Sequence, residues 1–307
     1  MSKLLLLLNE NAAIDHQLAT GLLPPGTVLT RASAGTRASP SGLLETVGVN
    51  APRSMYDPAT HACIGLLIEE QRTNLAPQSS ALEAWSIIVA SVDANSTVAP
   101  DGTAAAETLV STGGGNARIQ KTVGATAGVQ YTASAFVKTG TAPRFGFAYH
   151  GGSGGVSSPM IKYNLSDSGS VHSTQAGATG SITLLPNGFY YVTMTFTANM
   201  TGGLLLAAPD NATDNTYYLP KVDSAGISVI VWGVQMEQAA TASSYIPSAG
   251  APTTRAADFL TFAIPKGIST LRFVFDNNST QDVNVSEGMY SVPTTLNRPC
   301  LARILGL

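Results

Sequence analysis

Gly151-Gly152-Ser153-Gly154-Gly155 satisfies the G-x-S-x-G spacing of a nucleophile elbow, in which a strained strand-to-helix turn exposes a serine beside an oxyanion hole. That chemistry needs an amphipathic helix directly after the serine, and Val156-Ser157-Ser158-Pro159 cannot start a long one. The run therefore reads as a glycine loop, with its tip available to face a ligand. His16, His61, His150 and His172 are scattered without the short spacing of a metal site, and the acidic residues form no evident glycosidase pair. Glu69-Glu70 stands close to Arg72, which suits a structural salt bridge or a backbone cap better than acid/base work. Cys63 and Cys300 match no metal or redox spacing and are expected to be reduced, buried thiols. These patterns predict no catalytic centre.

The charge pattern narrows the partners. Charged residues are 11% of the chain and the formal net charge is −3. With no basic cluster, counterion release has no source, so nucleic acid is disfavoured. Leu4 to Leu8 are five consecutive leucines followed at once by Asn9, Glu10 and Asn11, too short a run for a bilayer span and marginal for a secretory leader. Neither a leader nor membrane insertion is expected.

Whatever chemistry the chain performs must be positioned by strands. Thirty glycines, with abundant Ser, Thr and Ala, favour sheets joined by tight turns. From Trp85 to Tyr245, short strand-like runs recur every ten to fifteen residues, as in a β-sandwich. Gln130 to Lys138 alternates, with Tyr131, Ala133, Ala135 and Val137 on one face. Phe189 to Thr197 sets Tyr190, Val192, Met194 and Phe196 against Thr193, Thr195 and Thr197, and Ile227 to Met236 is apolar on both faces, as a central strand reads. Trp85 and Trp232 are expected in the core. A short helix near Gln78 to Ala84, capped by Ser79 or Ser80, would lead into Trp85. Residues 1–74 read as an extended arm, rich in Pro and Gly, that would bury its leucines on a neighbouring subunit or docking partner. Four runs after Asp258 suggest a small β module with little stability of its own. The predicted fold class is all-β: a jelly-roll-like antiparallel sandwich over 75–248, the arm over 1–74 and the C-terminal module over 249–307.

One phrase follows no periodicity: Gly65-Leu66-Leu67-Ile68-Glu69-Glu70-Gln71-Arg72-Thr73-Asn74-Leu75. Leu29-Thr30-Arg31-Ala32-Ser33, Asn50-Ala51-Pro52-Arg53 and Tyr56-Asp57-Pro58 precede it, and Val231-Trp232-Gly233-Val234-Gln235-Met236-Glu237, Ser244-Tyr245-Ile246-Pro247 and Thr254-Arg255-Ala256-Ala257-Asp258 follow. Together these resemble bacteriophage tail-fibre and head-spike proteins that carry a carbohydrate-binding-module-like sandwich, over roughly Leu29 to Asp258. The segment from Ser279 to Pro299 is similar to a small module that often closes such proteins. The resemblance implies a non-enzymatic virion protein, made in the bacterial host cytoplasm, that adsorbs to host-surface polysaccharide. It also implies a homo-oligomer, a trimer first and a pentamer as the alternative, docked to other virion proteins through the arm. The competing reading is a purely structural capsid-decorating or tail-adaptor protein.

Sugar recognition needs rings that stack on apolar sugar faces and polar groups that bond hydroxyls. The candidates are Phe145 and Tyr149 on one strand face beside the glycine loop, and Tyr217 and Tyr218 near Asn215. No cofactor is expected, although Asp210, Asp214 and Asn215 offer the hard oxygen ligands that a structural calcium would take.

Overall fold

The computed structural model describes residues 14–151, 158–212 and 219–307. In chain order the strands are β1 (Asp15–Gln17), β2 (Val28–Thr30), β3 (Gly35–Ala38), β4 (Leu44–Val47), β5 (Ser54–Tyr56), β6 (Cys63–Leu67), β7 (Arg72–Asn74), β8 (Ser86–Ile88) and β9 (Ala90–Thr97). They continue with β10 (Ala106–Ser111), β11 (Arg118–Thr122), β12 (Gln130–Thr139), β13 (Arg144–His150), β14 (Met160–Asn164), β15 (Ser170–Gln175), β16 (Thr179–Leu184), β17 (Tyr190–Thr197), β18 (Leu204–Asp210) and β19 (Ser228–Glu237). The last are β20 (Thr253–Arg255), β21 (Phe259–Ile264), β22 (Thr270–Phe275), β23 (Thr280–Asn284), β24 (Gly288–Ser291) and β25 (Cys300–Gly306). The protein is all-β, and no helix among the described residues is long and apolar enough to cross a membrane.

The chain forms two units. Arg72–Arg255 is the sandwich unit; the terminal unit joins the residues up to Gln71 with Ala256–Leu307. One sheet of the sandwich runs β16-β17-β12-β19-β10-β9 and the other β15-β14-β13-β18-β11-β8, every pairing antiparallel. The chain crosses between sheets from β8 to β9, β10 to β11, β11 to β12, β12 to β13, β15 to β16, β17 to β18 and β18 to β19. With β10, β19, β12 and β17 in one sheet and β11, β18, β13 and β14 in the other, this is the double Greek key of a jelly roll.

Period-two alternation fills the space between the sheets. Tyr131, Ala133, Ala135 and Val137 of β12 and Tyr190, Val192, Met194 and Phe196 of β17 meet Phe145, Phe147, Tyr149, Ile161 and Tyr163 from the other sheet. On β19, Val231 and Val234 both face inward because Gly233, at φ 64°, sits in a bulge where the β12–β19 register shifts. A side chain at Gly233 would also press on Phe136, 3.1 Å from the position of a Cβ. The outer face of β19 is covered too, since Tyr245 packs over Trp232 at 4.8 Å between centroids, which explains a strand apolar on both sides. Trp85 and Trp232 are both buried. The helix expected before Trp85 is a single 3-10 turn, Leu82–Ala84, with no side-chain cap. Neither Ser79 nor Ser80 caps it, and Ser79 bonds the Tyr245 hydroxyl at 2.7 Å instead.

The terminal unit corrects the domain reading. Residues 14–71 are not an arm: β5 and β6 join β25, β22 and β23 in one sheet, β1 pairs with β25, and β2 pairs with β21 beside β24. Leu29, Leu66 and Ile68 bury themselves against Leu260, Phe262, Phe273, Leu301 and Ile304. The segment does need a partner for its leucines, and within the chain that partner is the C-terminal segment. Arm and C-terminal module are therefore one unit, interrupted in sequence by the sandwich.

Candidate functional site

The residues that carry the sequence phrase come together in space. In the terminal unit, the Arg31 guanidinium donates to Asp258 at 3.0 Å and to the carbonyls of Ser33, Gly48 and Ala51 at 2.9, 2.7 and 3.1 Å. Arg53 donates to Glu69 at 2.7 Å and to the second oxygen of Asp258. The Glu69 amide also donates to Asp258, at 3.0 Å, and the Asp258 amide returns a bond to the Glu69 carbonyl at 2.9 Å. All four side chains are buried. Glu69 thus makes the expected structural salt bridge, with Arg53 as its partner. Gly65 belongs to the same construction, because a Cβ there would lie 2.4 Å from the Leu301 carbonyl of the neighbouring strand. Cys300, on that strand, is buried and its thiol is pushed up to about 12 by burial, while Cys63 is half-buried; both are free thiols.

In the sandwich unit the phrase builds a counterpart from amides and one carboxylate, with no guanidinium in the bonds described. The Asn74 side chain donates to the carbonyls of Val234 and Ile246 and accepts from the amides of Ala76 and Met236, all within 2.9–3.4 Å. Gln235 bonds Glu237 at 2.8 Å and accepts from the Ile246 amide at 2.6 Å, and Ser243 closes on Glu237 at 2.5 Å.

The predicted ligand residues fare differently. Phe145 and Tyr149 are fully buried between the sheets, so they cannot stack on a sugar. Alternation puts them inside: their strand, β13, turns Gly146, Ala148 and His150 outward. Tyr149 has a structural duty, donating to the Met200 carbonyl at 2.7 Å and accepting from the Gly203 amide at 2.9 Å. Asp210 is also buried, and cations occupy its carboxylate. Arg144 donates at 2.5 Å, the Lys221 amide donates at 3.0 Å, and the Lys162 ammonium lies 2.8 Å away as an ion pair without an aligned hydrogen bond. A calcium at Asp210 would have to displace these positive groups. Among the described residues, no group of three His, Cys, Asp or Glu side chains is placed to hold a metal ion. Asp214, Asn215, Tyr217 and Tyr218, and most of the glycine loop, lie outside the described residues.

His150 and Glu107 of the sandwich are both shifted toward their neutral forms. Burial, and then the nearby Arg118 charge, lowers His150, leaving a neutral imidazole on the outer face of the second sheet. Glu107 on β10 is pushed up to about 8 by burial and by the facing Glu83 carboxyl, while it accepts from the Glu83 amide at 3.1 Å.

A surface that sequence reasoning passed over lies on the outer face of the first sheet. Tyr191, Thr193 and Thr195 of β17 are half-buried there, beside Thr183, Ser181 and Thr179 of β16. The signal was present in the alternation that isolates Thr193, Thr195 and Thr197. Extending it by one step adds Tyr191.

Fold and polar joints together define a jelly-roll protein whose sandwich is inserted, in sequence, between the two segments of a second β unit. The chain matches no protein-family profile and no curated protein. Among solved structures it is similar to the CBM22-1–GH10 modules of Clostridium thermocellum endo-1,4-beta-D-xylanase 10B complexed with xylohexaose, at 12% identity and a TM-score of 0.31. That match covers 59% of this chain and 30% of the xylanase chain.

Proposed function

We propose that the chain is a non-enzymatic bacteriophage fibre or spike subunit whose jelly roll adsorbs to polysaccharide on the host surface. The observation that carries this reading is the convergence of the phrase. Arg31, Arg53, Glu69 and Asp258, drawn from four separated segments, meet in one buried network. Residues this far apart in sequence meet at one place, which supports reading the phrase as one set with a shared structural task rather than as isolated short matches. The buried carboxylates of Glu69, Asp210, Glu237 and Asp258 all hold structural bonds, which supports a binding role over acid/base catalysis. In a symmetric oligomer, trimeric or pentameric, weak individual sites gain avidity from effective concentration.

Burial of Phe145 and Tyr149 favours a second reading, in which the sandwich is a rigid spacer without glycan affinity. Labelled, purified protein applied to host cells separates the two. Binding that disappears when surface polysaccharide is stripped, and that survives a calcium chelator, is the expected result. Failure to bind intact cells would replace adsorption with the spacer role.

A further inference from the structure

Along β16 and β17, hydroxyl groups line the outer face of the first sheet. Thr183 lies beside Tyr191, Ser181 beside Thr193 and Thr179 beside Thr195. The Ser181 and Thr193 hydroxyls are 2.9 Å apart, and Thr195 donates to the Ala240 carbonyl at 3.3 Å, where the chain after β19 borders the strip. None of these six side chains is charged. Threonines on a solvent-facing strand need no ligand to explain them. The tyrosine is different, because its ring packs at 5.0 Å on Phe136, which is itself held by Trp232 at 5.5 Å and Tyr245 at 6.3 Å. A half-buried ring backed by three buried aromatic side chains is preorganised, so a ligand that stacks on it orders little else.

We infer that this strip binds a neutral polysaccharide, with one sugar ring seated on Tyr191 and its hydroxyl groups bonded to Ser181, Thr183 and Thr193. The inference rests on the adsorption reading and gives it a place. Charge complementarity selects the class: the strip itself, a floor of hydroxyls and one ring, carries no charge, and Lys138 on the same face of β12 lies over the Phe189 ring at 5.7 Å, so the floor suits neutral hydroxyls and the apolar face of a pyranose. A second protein copy fits less well. A stable interface buries about 800 Å² per partner around an apolar centre, and here the apolar content is one ring.

The test uses the full chain and polysaccharide extracted from the cells of the adsorption assay, separated into neutral and acidic fractions. Affinity electrophoresis should show the wild-type protein retarded by the neutral fraction, with little dependence on salt. Tyr191→Ala should weaken binding about tenfold and Tyr191→Phe, which keeps the ring, less than about threefold. The double variant Ser181→Ala/Thr183→Val, at exposed positions that leave the core untouched, should also lose about tenfold and carries the test if Tyr191→Ala fails to fold. Wild-type affinity in Tyr191→Ala and in the double variant would overturn the site and leave adsorption standing. Binding confined to the acidic fraction and abolished by salt would overturn the neutral class. A wild-type protein that binds neither fraction would overturn the site together with the reading it rests on.

Discussion

The two units solve the same problem, anchoring distant segments through buried polar groups, with different chemistry. In the terminal unit the long-range joints are ionic: Arg31 and Arg53 share Asp258, and Arg53 also holds Glu69. In the sandwich, neutral groups do much of this work. Asn74 ties β7 to β19, and the core tyrosines reach loops through their hydroxyls, Tyr149 to Met200, Tyr190 to Asp167 at 3.0 Å and Tyr131 to the Thr126 amide at 2.9 Å. The difference follows connectivity. In the sandwich the distant strands β10, β12, β17 and β19 are already joined by ladder pairing, so the side-chain joints mainly secure loops and the entering strand β7. The terminal unit must bring residues near 31, 53 and 69 to residue 258, and a guanidinium that spans several acceptors can fix four segments at once.

The comparison can be broken most sharply at Asp258. Asp258→Ala leaves two buried guanidinium groups without their carboxylate and should cost about 3–5 kcal/mol, read as lost hydrogen-exchange protection in β22 and β25. Tryptophan fluorescence reads the other unit, since Trp85 and Trp232 both lie in the sandwich.

Glu107 is a buried carboxyl of the sandwich that no cation pairs in the contacts described above, and it should respond in the opposite direction. Its carboxyl titrates at about 8 when folded against an ordinary 4.5, so the folded state holds a proton that the unfolded state has lost between those values. Its contribution is therefore fully favourable below about pH 4.5 and is lost as pH rises toward 8. Glu107→Gln should flatten that slope and stabilise the protein by about 2 kcal/mol at pH 8, checked by urea unfolding across pH.

Tyr149→Phe removes two neutral bonds and should cost about 1–2 kcal/mol in thermal unfolding, with glycan affinity unchanged, as befits a core residue. Smallest is Asp282→Asn, which breaks an exposed two-pronged pair with Arg272, both bonds 2.8 Å. The expected loss is about 0.5 kcal/mol and should vanish in high salt, unlike the loss at Asp258.

Much of the sandwich was legible in the sequence because its strands alternate strongly. β12, β17 and β19 lie close to where Tyr131 to Val137, Tyr190 to Phe196 and the run through Trp232 place them. In the terminal unit the four runs after Asp258 were legible too, and they form β21 to β24; what was illegible is their union with the N-terminal strands, for a specific reason. The unit's central strand, β25, is Cys300-Leu301-Ala302-Arg303-Ile304-Leu305-Gly306, a buried strand without alternation, and nothing in it announces that it pairs with β6 more than two hundred residues earlier. Phe145 and Tyr149 were correctly placed on one strand face. Whether that face meets solvent or the opposite sheet is decided by the partner sheet, which local alternation does not specify.

The interruption of one unit by the other has a consequence for synthesis. β6 pairs at once with β5 on one edge, but on its other edge Leu66 and Leu67 emerge from the ribosome long before Leu301 and Cys300, the residues they pair with there. At roughly 5–20 residues per second, that leaves an apolar strand waiting about 10–50 s for its neighbour. The sandwich is made in the interval, and its first and last strands, β7 and β20, pair Asn74 with Thr253 and Arg72 with Arg255. The nascent chain can therefore complete its middle before its beginning. The β25-facing edge of an early β5–β6 hairpin is then open to self-association until residue 300 is made, so slow translation or truncation before that point should promote aggregation.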